Sequence, residues 1–355
     1  GSNISVVQNL VSAWERFKPM RDQTFVSEEQ RYVDLHRPDG IPDVLQYIEH
    51  GTLNLVAQAE NIGHMAQTLS NSVLDNYHHL GDAAAITDGL HYDPRLKPYE
   101  KSADGKSSGT PDDMWAFTTR NPFLDLQAAT MFAAASRALT GYNDDLARRA
   151  LTQSKRLMRE GTELMQRSPM GGGNRGRVGF GNMSTNLQLY VSTGEQHYLD
   201  DFQEQIWPAL DRNVQSAIQP ALDAIPHLDA AYRERLVPYV QQYKEYLDGM
   251  EEDNPYGVPI GLGNWASSGS VVSFGTTAAF ASKYFPEIVG PEYALKAAGY
   301  LFGCHPYHNY SLVAAVGATR PKEVFYGNNR ADFSFIPGNV APGVLFRIPD
   351  HFENY

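Results

Sequence analysis

A recurrent helical period, interrupted by long polar loops, constrains this chain more than any other feature. In the first stretch Ile4, Val7, Val11 and Trp14 fall on one face of a helix. A second helix is predicted to start at Pro42, whose fixed φ suits a first helical turn, and to run to about Leu69. Further helices are predicted at roughly 123–140, 143–168, 181–193, 195–217, 228–248, 269–284 and 290–303. Pro291 stands near a start, and Gly141, Gly194 and Gly303 stand at ends. Alternating segments are scarce, so the chain reads as all-α, with any strands short and confined to loops.

Between the helices run Gly- and Pro-rich stretches, the largest at about 76–121, 169–180, 249–268 and 304–350. Connections this long are uncommon in compact domains unless they are functional. Helix pairs joined in this way can close into a double ring, an (α/α) toroid, whose long loops gather on one face as a cleft. A ring of six hairpins needs more helices than the nine read here, so residues 1–355 form an incomplete ring. No break in composition marks a boundary, and the whole chain reads as one domain, truncated at both ends.

The formal net charge of -12 argues against nucleic acid or an anionic membrane surface as partner, because both need clustered Lys and Arg. No apolar run is long enough to span a bilayer. The lone cysteine, Cys304, cannot close an internal disulfide. The chain is rich in aromatics, with 20 Tyr, 16 Phe and 4 Trp, and rings of this kind stack on the apolar faces of sugars. Taken singly, most of them belong to a core.

Five loop stretches carry polar chemistry. Tyr77 to Asp82 holds His78, His79 and Asp82, with Asp88 shortly after. Neighbouring side chains in one loop rarely converge on one ion, so His79 and Asp82 are read as sugar-binding or structural groups and no metal is assigned. Gly109 to Arg120 sets Asp112 and Asp113 beside Trp115 and Arg120: carboxylates for hydroxyl groups, a ring for stacking, and a paired-acid arrangement that could divide acid and base roles. A capping Asp at a following turn accounts for the same pair equally well. Asn254 to Trp265 ends on a ring just before a helix, which suits either a sugar platform or a hydrophobic staple. Gly303 to Asn309 places His305 beside Cys304; adjacent side chains point apart and no oxyanion motif accompanies them, so a thiol nucleophile is set aside. Gly327 to Gly338 is rich in Asn and carries Arg330, a donor to hydroxyl groups. Gly171 to Gly176 lacks the strand and Lys-Ser/Thr ending of a phosphate cradle and reads as a loop. No motif calls for a cofactor.

In chain order these stretches resemble glycoside hydrolase family 9, in the branch often found with an immunoglobulin-like N-terminal module. Arg31 to Asp43 (Arg-Tyr-Val-Asp-Leu-His-Arg-Pro-Asp-Gly-Ile-Pro-Asp) resembles the family's lead into its second helix. His79-Leu80-Gly81-Asp82 is similar to its Val-Gly-Asp element, Thr110-Pro111-Asp112-Asp113-Met114 to Arg-Pro-Glu-Asp-Met, and Tyr300 to Pro306 to Tyr-Leu-Leu-Gly-x-Asn-Pro. The resemblance runs along essentially the whole chain. It implies an (α/α)6 barrel, a secreted or periplasmic enzyme, and inverting hydrolysis of β-1,4-linked glucans or related β-glycosides. It also implies an oligosaccharide or polysaccharide substrate, and the loop chemistry gives His79, Asp82, Asp112, Asp113, Trp115, Arg120, Trp265, His305 and Arg330 as the groups that would hold it. The family's Asp-Ala-Gly-Asp and its Trp-Gly-x-Asn-Glu type element have no match between Gly1 and Tyr355, so no catalytic residue is assigned. Two rivals stand beside this reading: a non-catalytic carbohydrate-binding relative, and another toroid enzyme acting on uronic-acid polysaccharides, which should show a more basic cleft.

Overall fold

The computed structural model describes residues 2–27, 29–30, 32–34, 36–71, 88–167, 171–260, 267–304 and 309–317, with 338, 340, 341 and 343; at 2, 70, 71, 114, 115 and 171–181 it describes the backbone alone. The described residues form ten α-helices and six short strands, an all-α chain whose strands lie in loops, as the helical period predicts. No helix among them is long and apolar enough to cross a membrane. The described residues divide into two compact units, one made of those up to 209 and the other of those from 210 onward.

In the first unit, α1 (Ser2–Phe17), α2 (Asp43–Ile62), α4 (Asp144–Arg167) and α5 (Gly171–Thr193) all pack on α3 (Pro122–Leu139). Helix α3 is alanine-rich because it is covered on nearly every side: Ala128, Ala129, Met131, Phe132, Ala133 and Ala135 have no exposed surface. Small side chains let several helices approach one axis at interior packing density. Ile4, Val7 and Val11 of α1 and Ile48, Leu55, Val56 and Ala59 of α2 enter the same core, on the faces that the apolar spacing marks. The next helix, α6 (Gln196–Arg212), runs through the boundary at Ala209.

In the second unit, α7 (Val214–Ala224) packs on α8 (Ala230–Asp253) and α9 (Ser268–Tyr284), and α9 packs on α10 (Glu292–Leu301). The approach of α9 to α10 is close. A Cβ at Gly275 would stand 2.7 Å from the Cβ of Ala297, so only glycine fits there.

The strands pair in twos. β1 (Phe25–Ser27) is antiparallel to β2 (Tyr32–Asp34), with Val26 opposite Val33. β3 (Leu69–Asn71) is antiparallel to β6 (Met114–Ala116), with Ser70 opposite Trp115, and β4 (His91–Tyr92) is parallel to β5 (Ser107–Ser108).

Helix boundaries differ most from the sequence reading at three places. Helix α2 ends at Ile62 rather than near Leu69, because Gly63 takes a left-handed φ of 85° and closes it. The segment 195–217 is two helices, since Asn213 leaves helical geometry and caps α7 by accepting from the Ser216 N–H. The glycine stretch from Gly171, read as a loop, is the start of α5. Glycine disfavours helix by about 1 kcal/mol per residue. The same helix continues into Met183, Leu187 and Leu189, whose burial against α3 and α4 outweighs that cost.

Candidate functional site

The connection from Gly63 to Asn121, between α2 and α3, carries Asp112, Asp113, Trp115 and Arg120. Its two ends are zipped together by the β3–β6 ladder. The Phe117 N–H donates to the Thr68 carbonyl at 2.9 Å, and the Gln67 N–H to the Phe117 carbonyl at 3.0 Å.

Within this frame the two aspartates do not stand side by side as free acids. Asp112 Oδ2 accepts the Asp88 N–H, and Asp113 Oδ2 accepts the Tyr92 N–H at 2.6 Å. Asp88 in turn accepts the Ser108 hydroxyl at 2.5 Å and the Leu90 N–H at 2.8 Å. The Ser108 bond, with the Leu90 N–H behind it, holds the Asp88 carboxyl below its usual range. Segment 88–92 is therefore pinned to segment 108–113 by three carboxylates. One acceptor is left over: Asp112 Oδ1 is buried without a hydrogen-bond partner. A buried carboxylate oxygen ordinarily has a donor.

Arg120 lies at the other end of the connection and has a structural task. Its Nε donates to Asp125 Oδ2 at 2.8 Å and its Nη2 to Glu160 Oε2 at 2.9 Å. Asp125 has no exposed surface and also accepts the Met65 N–H at 3.0 Å. Arg156 joins the network through Glu160 and donates to the carbonyls of Ala59 and Gly63 at 2.8 and 2.7 Å. Burial pulls the Glu160 carboxyl up, but the Arg120 bond and the Arg156 charge outweigh it and hold the group below its ordinary value. The network ties the start of α3 to the end of α2 and to α4.

Of the residues expected to hold substrate, the structure thus brings Asp112 and Asp113 together with Asp88, and sets Arg120 in an ion-pair network. Trp115 lies on β6 opposite Ser70. His79, Asp82, Trp265, His305 and Arg330 lie outside the described residues. Among the described residues no three His, Cys, Asp or Glu side chains are gathered as metal ligands. Sequence reasoning missed Ser108, which holds Asp88, and Tyr99, which stands 83% exposed in the same connection. Pro98, whose fixed φ suits the first corner of a turn, was the available signal.

No protein-family model and no curated protein matches the sequence. Solved structures do. A metagenome-derived glycoside hydrolase family 9 endoglucanase aligns with a TM-score of 0.63 at 20% identity, over 97% of this chain and 60% of its own. A Bacteroides ovatus GH9 structure aligns with a TM-score of 0.61 at 14% identity, over 97% of this chain and 62% of its own. AaCel9A in complex with cellobiose-like isofagomine aligns with a TM-score of 0.62 at 16% identity, over the same shares. The chain thus shares the all-helical fold of glycoside hydrolase family 9 structures, which form an (α/α)6 toroid, and spans about three fifths of the length of those it matches.

Proposed function

We propose that this chain is part of an inverting glycoside hydrolase that acts on a β-1,4-linked glucan or a related β-glycoside, as a single secreted or periplasmic domain. The observation that supports the reading is the likeness to family 9 endoglucanases over 97% of the chain, reached independently of the motif order in the sequence. Inversion uses one carboxylate to activate water and another, across the sugar, to protonate the leaving oxygen. Asp112 and Asp113 each hold a backbone N–H of the same connection, which suits bracing and hydroxyl binding rather than proton transfer. The catalytic pair is therefore not assigned to them.

On this reading Asp112 Oδ1 takes a sugar hydroxyl as its missing donor. Trp115 and Trp265 supply stacking surfaces. His79, Asp82, Asp113, His305 and Arg330 bond further hydroxyls, and Arg120 contributes chiefly by holding the loop in place. Calorimetric titration with cellohexaose tests the reading. Binding is expected with a dissociation constant between about 1 µM and 1 mM, the span common for enzyme substrates. Absence of binding to cellohexaose and to other β-linked oligosaccharides would overturn it.

A further inference from the structure

We propose that Tyr99 is a sugar-stacking platform, its ring lying against the apolar face of one pyranose of a bound oligosaccharide. The proposal rests on the glycan-processing reading above and adds to it a contact that the sequence motifs do not contain.

Tyr99 occupies a backbone position that disfavours it. Lys97 to Glu100 form a tight turn, closed by the Glu100 N–H donating to the Lys97 carbonyl at 2.9 Å. Pro98 presets the first corner, and Tyr99 takes the second at φ 67°. That is the pattern of a type II turn, whose second corner favours Gly or Asn. A bulky residue there is strained. Burial does not compensate, because Tyr99 is 83% exposed. Neither local backbone preference nor core packing accounts for an aromatic at this place.

The turn is also firmly supported. The Gly109 N–H donates to the Glu100 carbonyl at 2.9 Å, and the Ser102 N–H to the Ser107 carbonyl at 2.9 Å. The Lys97 N–H is held by Glu100 Oε2 at 3.0 Å. Gly109 fits directly against the turn; a Cβ there would overlap the Lys97 carbonyl oxygen and stand 2.8 Å from that of Leu96. The ring is thus displayed from a fixed base, and that base leads within three residues to Asp112 with its unpartnered buried oxygen. An exposed flat ring and a waiting hydroxyl acceptor issue from one short segment.

The surroundings favour a sugar over a protein partner. Tyr99 is the one exposed large apolar side chain among the described residues between 88 and 113, and Lys97, Glu100 and Lys101 beside it are exposed too. Protein interfaces centre on a desolvated apolar patch with charged residues depleted from its core. A pyranose presents one apolar C–H face rimmed by hydroxyl groups, which a lone ring amid charged groups matches.

Titration of the wild-type chain, Tyr99→Asn, Tyr99→Gly and Tyr99→Trp with cellohexaose, alongside melting curves, tests the proposal. The Asn and Gly variants relieve the backbone strain and should melt at or above the wild type. They should bind about 5- to 150-fold more weakly, taking the stacking of a flat base on an aromatic side chain as the measure. Tyr99→Trp should keep the affinity. Equal affinity in the wild type and Tyr99→Asn overturns the stacking role and leaves the glycan reading standing. A lowered melting temperature in Tyr99→Asn overturns it as well, by showing that the ring packs. No binding of cellohexaose by the wild type overturns the stacking of this ligand on Tyr99, and only the absence of binding to other β-linked oligosaccharides as well overturns the glycan reading with it.

Discussion

Asp125 is a carboxylate with no exposed surface whose partners come from three different segments: Met65, Arg120 and, through Arg120, Glu160. Arg120→Ala would leave that charge with a single N–H. Breaking a buried pair from one side is expected to cost about 2–3 kcal/mol, toward or below the low end of the usual range because Arg120 is itself 29% exposed and water can enter. The midpoint of urea unfolding checks this. Glu160 adds a pH signature. Its carboxyl titrates below the ordinary 4.5 in the folded chain, so its contribution is present above that value and is lost as pH falls through the folded one. Glu160→Gln should therefore show a shallower loss of stability than the wild type between about pH 5 and pH 3. An unchanged acid limb would show that other carboxylates carry it. At this scale the sequence marked Asp112 and Asp113 as a pair, and the structure does place them on one brace with Asp88. It did not mark what Arg120 does, because Asp125 and Glu160 are helix residues without any motif of their own.

Helix α3 has two start signals side by side. At α3, Pro122 sits in the first turn and Asn121 caps it, its side chain accepting the Phe123 N–H at 3.1 Å. Asn121→Ala should cost about 1 kcal/mol, measurable as a lowered unfolding midpoint. At α9, the close approach of Gly275 to Ala297 predicts that Gly275→Leu forces the two helices apart, at a cost of about 1–3 kcal/mol or more. Gly275→Leu melting like the wild type would refute the close packing of α9 on α10. Helices were least legible where signals conflict. Asn213 is an N-cap inside an uninterrupted apolar period, and that period hid the break between α6 and α7. The glycines of α5 spoke for a loop, while the core contacts that hold the helix lie in its second half.

For the whole molecule, the fold of a family 9 glycosidase was readable before any coordinates, from motif order together with the alternation of helices and long loops. On the proposed reading this chain is expected to show little or no hydrolysis of β-glucan, since one acid–base group alone contributes about 100- to 10,000-fold. Release of reducing ends measures this, and turnover at the rate of a complete family 9 enzyme would put the catalytic pair within these residues. What the sequence determined by itself is local: which face of each helix is apolar, that left-handed glycines such as Gly141, Gly194 and Gly303 stand at ends, and where long polar connections fall. These depend on neighbours one turn away. What only the tertiary structure decided is which side chains meet across the connections, such as Asp112 with Asp88, Arg120 with Asp125 and Glu160, and the strained turn at Tyr99 seated against Gly109. Nothing in a helical period specifies where a loop returns. That is settled when the helices pack, and the buried polar groups this brings together must then find partners or leave an acceptor waiting, as Asp112 does.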